Sequence, residues 1–167
     1  MIYAFKRFFL KTNRLRELFN MKKDSKSKFI SASAVIVTNS ENKILILKRS
    51  KNIGSFPNAW NFPAGGEDPG ETAAQTAIRE CFEETNLRLD ESDLIYIGTF
   101  DIDNSDRVNE INYFITTKYS GDIKLDWENS EYKWVSSDEL KEYEFVPIPD
   151  LIKYIFENDS AFNDLIS

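Results

Sequence analysis

The sequence predicts an α/β fold, a mixed central sheet with helices on both faces. Three observations predict it. Read along the chain, the elements run strand, strand, loop, helix, three strands, helix. The first helix is announced by a capping box, Thr72 with Gln75, just after a Pro69-Gly70 turn. The chain has 167 residues, 41% of them hydrophobic and 14% aromatic, which suits a single packed core.

Taken in order, Met1 to Asn20 mixes Phe5, Phe8, Phe9, Leu15, Leu18 and Phe19 with Lys6, Arg7, Lys11, Arg14 and Arg16. This reads as a basic amphipathic helix. The pattern is compatible with contact at a membrane surface or with organellar targeting. Packing on its own domain or on a partner subunit, or an extension upstream of a start at Met21, is the preferred reading. Lys22 to Lys28 is a polar linker of Lys, Asp and Ser. Residues 1–28 are thus set apart from a domain at 29–167. Phe29–Thr38 and Lys43–Lys48 read as strands joined at Asn39-Ser40-Glu41-Asn42, a hairpin. Arg49–Asn61 is a loop leading to Phe62, Pro63 and a glycine-rich stretch. Beyond the first helix, Leu94–Phe100 and Asn109–Tyr119 read as strands about an acidic turn, Asp101–Asp106, with a metal or substrate loop as its alternative. Asp122–Asn129 leads to a strand at Glu131–Val135. Ser136 with Glu139 signals a helix near Asp138–Glu142, and Asp150–Asn158 forms the last helix, with Leu151, Tyr154 and Ile155 on one face.

Charge and composition narrow the chemistry. The formal net charge is −7, but residues 1–28 carry nine Lys/Arg against two Asp/Glu, leaving the remainder at −14. So acidic a body repels polynucleotides, and a small phosphate-bearing substrate is expected rather than a nucleic-acid duplex. No histidine is present, so acid–base work falls to carboxylates, lysine, tyrosine or metal-bound water. The single cysteine, Cys81, can form no internal disulfide, which fits a reducing compartment such as the cytoplasm, or simply a packed thiol. No apolar run approaches the roughly 18 residues of a membrane span.

The helix after Thr72 carries two kinds of face. Ala74, Ile78 and Cys81, flanked by Ala73, Ala77 and Phe82, recur at three- and four-residue steps and form the core side. Glu80, Glu83 and Glu84 stand at i, i+3 and i+4. Like charges at that spacing repel by about 0.2–0.5 kcal/mol per pair. A hard cation such as Mg²⁺ or Mn²⁺, which prefers oxygen ligands, would convert the repulsion into binding. Taken alone, three glutamates also describe a solvated face. Asn86 suits the left-handed C-terminal cap.

The full spacing is more specific. Gly65, five residues, Glu71, seven residues, Arg79-Glu80, two residues, Glu83-Glu84, one residue, Asn86-Leu87 resembles the signature of the Nudix hydrolases. Cys81 stands where a larger aliphatic residue is usual and Asn86 where glycine is. The resemblance implies an α/β/α sandwich and metal-dependent hydrolysis of a pyrophosphate bond in a nucleoside triphosphate or another nucleoside diphosphate linked to a group X. It implies Mg²⁺ or Mn²⁺ held by Glu80, Glu83, Glu84 and the Ala64 carbonyl, with Arg79 and Glu71 supporting them. Arg49, with the Gly65-Gly66 loop, would reach the substrate phosphates. Glu128, six residues before Trp134, resembles the late acidic residue of the family and is the candidate base or additional ligand, with Glu131 and Asp101 as competitors. Phe56, Trp60, Tyr113 and Trp134 are candidates for stacking on a base, although each also suits the core. A homodimer is compatible with the family. Two other functions fit the residues: a nucleotide or nucleotide-sugar sensor without turnover, and an RNA-end hydrolase using the basic amino-terminal segment.

Overall fold

A computed structural model describes residues 30–104 and 107–157. The expected amino-terminal helix, the linker and the end of the last helix at Asn158 lie outside the described residues. Among the described residues, seven strands, two α-helices and two short 3-10 helices follow one another: β1 (Ile30–Val37), β2 (Ile44–Arg49), β3 (Trp60–Asn61), β4 (Ala64–Gly66), α1 (Ala73–Thr85), a 3-10 turn (Glu91–Asp93), β5 (Ile95–Asn104), β6 (Arg107–Thr116), β7 (Asn129–Val135), a second 3-10 turn (Asp138–Glu142) and α2 (Pro149–Glu157).

The middle layer is set by two unbroken apolar runs. Ala34 to Val37 in β1 and Ile44 to Leu47 in β2 are all fully buried, as strands covered on both faces must be. Their alternation divides the core in two. Ala34, Ile36, Ile44 and Ile46 pack with Phe62, Tyr113, Leu151 and Ile155 on the α2 side. Val35, Val37, Leu45 and Leu47 pack with Ala77, Cys81 and Leu87 on the α1 side. This is the expected layering, with a helix on either face of the strands.

The strands form two sheets, ordered β4-β1-β6-β5 and β3-β2-β7. The first is mixed, since β1 runs parallel to β6 from Ile30↔Asn109 to Val37↔Thr116 and antiparallel to β4. The expected β1–β2 hairpin does not form. Both edges of β1 are taken by β4 and β6, so a lone bridge, Thr38↔Ile44, is all that joins β1 to β2. The Thr38 N–H instead donates to the Thr116 carbonyl, 2.9 Å away. The Asn39 side chain accepts the Glu41 and Lys43 N–H groups at 3.0 Å each, and Asn42 adopts φ 58°, which turns the chain across to the second sheet.

Two further expectations are corrected. The acidic turn is mostly strand: β5 continues through Asn104 and pairs with β6 as far as Asn104↔Arg107, because the register set by Phe100↔Ile111 runs on without interruption. Phe82 is not on the core face of α1. Its side chain is exposed and lies against the Arg88 guanidinium at 5.3 Å. At about 100° per residue the buried arc runs through Thr76, Ala77, Cys81, Glu84 and Thr85, and Phe82 falls one step past it.

Candidate active site

Helix α1 starts where the capping box puts it. The Thr72 hydroxyl accepts the Gln75 N–H at 3.2 Å, and the Gln75 side chain accepts the Thr72 N–H at 3.1 Å. It ends on Asn86, whose φ of 62° is the left-handed cap expected from asparagine. Between these ends the helix packs against β4, where one residue makes room for a carboxylate. A Cβ on Gly65 would sit 2.1 Å from the Glu80 carboxyl carbon, so only glycine lets that carboxylate reach the strand. Gly66 is different: a Cβ there would meet nothing within 4 Å, and its carbonyl accepts Arg79 Nη2 at 2.9 Å.

Arg79 organises the acidic groups. Its Nε donates to Glu71 at 2.8 Å, its Nη1 to Glu80 at 2.7 Å and to Glu83 at 3.2 Å, and its Nη2 to Glu71 at 3.0 Å. It therefore serves Glu80 as well as its i, i+4 neighbour Glu83. The hydrogen bond from Arg79 holds the Glu71 carboxyl down to about 2, helped by the Asp68 N–H and the Thr76 hydroxyl. Those carboxylates in turn raise the guanidinium further toward its charged form.

Glu80 and Glu84 are pushed the other way. Burial raises Glu80 despite Arg79, with the charges of Glu83 and Glu128 adding to it. Glu84 is 5% exposed, and burial pushes it up to about 8. The Ala64 N–H, donating to Glu84 at 3.3 Å, opposes that rise; the charges of Glu80, Asp126 and Glu128 reinforce it. The ladder explains why Ala64 faces the helix. Val35 N–H bonds the Pro63 carbonyl and Glu67 N–H the Ser31 carbonyl, which leaves Ala64 at a position whose own N–H and carbonyl point away from β1.

Glu128 arrives through a loop fixed to the end of α1. The Lys124 N–H donates to the Thr85 carbonyl at 2.9 Å and the Asp126 N–H to the Glu84 carbonyl at 3.4 Å, so the loop satisfies carbonyls that the helix end leaves free. Asp126 Oδ1 then accepts the Glu128 N–H and the buried Asn129 side chain, each at 3.1 Å. Asp126 and Asn129 escaped the sequence reading. Asp126 lies two residues before the late glutamate, and an aspartate that caps its own turn is the signal that would have found it.

Arg49 is the last residue of β2, opposite Asn129 across a register shift that follows Lys48. Its Nε donates to the Ser55 carbonyl at 2.9 Å, so part of the guanidinium braces the 50–59 loop. Of the other proposed residues, Tyr113 and Trp60 are core, 1% and 6% exposed, which leaves no face for a base. Trp134 stacks on Tyr119 at 5.8 Å, and Phe56 packs on the α2-side cluster. Glu131 pairs with Lys48 and Lys133 on the surface.

The gathered groups are oxygen donors with no histidine or thiolate among them, a set suited to a hard divalent cation. Among the described residues no three acidic side chains converge as they stand, because Arg79 engages Glu80 and Glu83 while Glu84 turns to the Ala64 N–H. A buried carboxylate with one amide partner and three anionic neighbours has a strong electrostatic demand for a cation.

Residues 28–154 match the family model described as the NUDIX domain. The chain belongs to the Nudix family. A curated relative, the RNA pyrophosphohydrolase of Erythrobacter litoralis, is 32% identical over 134 residues, covering 68% of this chain and 79% of the relative. The asymmetrical bis(5'-nucleosyl)-tetraphosphatase of Rattus norvegicus is 31% identical over 116 residues, covering 62% and 70%. Among solved structures, the MutT protein of Methanosarcina mazei superposes with a TM-score of 0.70 at 22% identity, over 81% of this chain and 99% of that one, and shows the same fold. As a Nudix hydrolase the protein acts on phosphoric anhydride bonds. Both departures from the usual Nudix pattern have a structural account: Asn86 takes the left-handed backbone that glycine would, and Cys81 is fully buried, its thiol pushed up to about 12 by that burial.

Proposed function

We propose that the protein is a metal-dependent pyrophosphohydrolase that cleaves a pyrophosphate bond in a nucleoside triphosphate or another nucleoside diphosphate-X compound. The observation that carries this reading is Glu84, a carboxylate nine-tenths buried beside Glu80 with one amide hydrogen bond to stabilise it. Such a group is costly to the fold unless a cation uses it. Glu80, Glu83, Glu84 and the Ala64 carbonyl would hold Mg²⁺ or Mn²⁺. When bound, the metal supplies charge neutralisation at the phosphoryl oxygens and a more acidic water.

The protein's own residues supply orientation. Arg79 keeps Glu80 and Glu83 on one side of α1, and Glu71 fixes Arg79 from behind. Gly65 gives Glu80 its room, while Gly66 and Arg49 would reach the substrate phosphates. Glu128, held by its Asp126 turn and near enough for its charge to reach both Glu80 and Glu84, would accept a proton from the attacking water or add a ligand to the metal. One relative is named for pyrophosphohydrolysis of RNA and the other for a bis(5'-nucleosyl) tetraphosphate, and both names support a substrate with a phosphoric anhydride bond attached to a nucleoside. A cytoplasmic site of action belongs to the same proposal and agrees with the buried free thiol of Cys81; no helix among the described residues is long and apolar enough to cross a membrane.

The test is chromatographic detection of the split products, a nucleoside phosphate together with pyrophosphate or the phosphorylated group X, from a panel of nucleoside triphosphates, dinucleoside polyphosphates, ADP-ribose and nucleotide sugars with Mg²⁺ or Mn²⁺, with a Glu83→Gln control. Turnover of one class that vanishes in the control is expected. Absence of metal-dependent turnover from folded protein would favour a sensor that binds nucleotide without cleaving it.

A further inference from the structure

Trp127 is the most exposed large hydrophobic residue among those described, at 75%. It contributes nothing to either core cluster and makes no ring contact among the described residues. Its backbone, in contrast, is held on both sides. The Ser50 hydroxyl donates to the Trp127 carbonyl at 2.9 Å, and the Ser50 N–H donates to the Glu128 carbonyl at 2.7 Å. On the other flank, the Asp126 N–H bonds the last turn of α1 at Glu84. The indole is thus displayed from a braced loop, one residue from each of two carboxylates that act on the glutamates of α1, and beside the end of β2 that carries Arg49.

An exposed tryptophan on a fixed backbone is prepared for a flat partner. Only two side-chain torsions remain to be ordered when a ring lies on it, so the entropic cost of stacking is small. The acidic surroundings disfavour an anionic partner at the indole itself, and every nucleobase offers an uncharged π-face. The other aromatic residues proposed for stacking are withdrawn into the core or packed on neighbouring side chains, which leaves Trp127 as the accessible one on the loop that carries Asp126 and Glu128. We infer that the Trp127 indole is the stacking platform for the nucleobase of the substrate, and so the residue that separates base-bearing pyrophosphates from base-free ones. The inference deepens the proposed hydrolase and rests on that reading for its substrate.

Because the ring would lie away from the reacting phosphorus, its contact is equal in ground and transition states, and its loss appears in KM rather than kcat. The experiment compares wild type with Trp127→Ala and Trp127→Phe on the nucleotide the wild type hydrolyses and on a base-free pyrophosphate, phosphoribosyl pyrophosphate. Thermal melts confirm that each variant is folded. In Trp127→Ala, KM for the nucleotide should rise roughly 5- to 150-fold, the range for losing one base–aromatic stack, with kcat within about twofold. The base-free substrate should be unaffected, and Trp127→Phe should recover most of the loss. An unchanged KM, an equal loss on both substrates, or no rescue by phenylalanine overturns the inference. Should the wild type hydrolyse nothing, the hydrolase reading fails by itself. Trp127 is then judged by ATP-induced quenching of tryptophan fluorescence, whose absence, or persistence in Trp127→Phe, overturns it as well.

Discussion

At the scale of single residues, Glu84 and Gly65 show how the site is bought from the fold. Glu84 is held at about 8 against an ordinary 4.5, so the folded protein keeps it protonated over a range in which the unfolded chain has released the proton. Stability from this group is therefore complete below about pH 4.5 and is lost as the pH rises toward 8. In chelator, urea unfolding of the wild type should weaken by on the order of 2–4 kcal/mol between pH 5 and pH 8.5, whereas Glu84→Gln stays nearly level over that interval and gives no turnover. Equal pH dependence in the two proteins would contradict the burial account. Gly65→Ala drives a methyl group into the Glu80 carboxylate, and the expected result is a loss of about 1–3 kcal/mol in thermal melts with at least a tenfold fall in kcat/KM. Gly66→Ala, with open space around it, should fold like wild type, and a similar loss there would show that the clash is not the cause.

At the scale of elements, α1 works because both of its ends are fixed. Its start rests on two reciprocal hydrogen bonds, so Thr72→Ala should cost about 1 kcal/mol, read as a lower midpoint in denaturant at unchanged slope. Its end is closed by the loop at 122–128, whose N–H groups meet the Glu84 and Thr85 carbonyls. Asp126→Ala unfastens the turn carrying Glu128 while leaving that glutamate in the chain. Activity in the variant should fall about tenfold or more, within the range for a misplaced acid–base group, with a smaller effect on the melting temperature. Activity unchanged in Asp126→Ala would separate Glu128 from the reaction. The signals for α1 were local and therefore legible: a cap, a turn and a 3.6-residue period. The signals for the loop were not, because its partners are the carbonyls of a helix some forty residues earlier.

At the scale of the whole molecule, two sheets and two helices bring four separated stretches to one place: β4, α1, the end of β2 and the loop before β7. The −14 charge of the chain beyond residue 28 sets a cost on gathering more carboxylates, and bound metal should offset it. Saturating Mg²⁺ or Mn²⁺ should raise the melting temperature of wild type, and the rise should be lost in Glu84→Gln. A rise of the same size in both proteins would place the stabilising ion elsewhere on the acidic surface.

The sequence by itself determined the main strands and helices, the two ends of α1 and the grouping of Glu80, Glu83 and Glu84, because each depends on neighbours within a few residues. It also carried the resemblance to the Nudix signature. It could not determine that β1 and β2 part into separate sheets, since strand pairing is a competition for edges that only the full set of strands resolves. Tertiary structure alone decided that Phe82 faces outward and that Tyr113 is core. It also decided that Glu84 is buried where its charge is costly, and that Asp126 and Glu128 stand near enough for their charges to reach it. Burial and electrostatic environment are properties of what surrounds a residue, and for this site the surroundings come from distant parts of the chain.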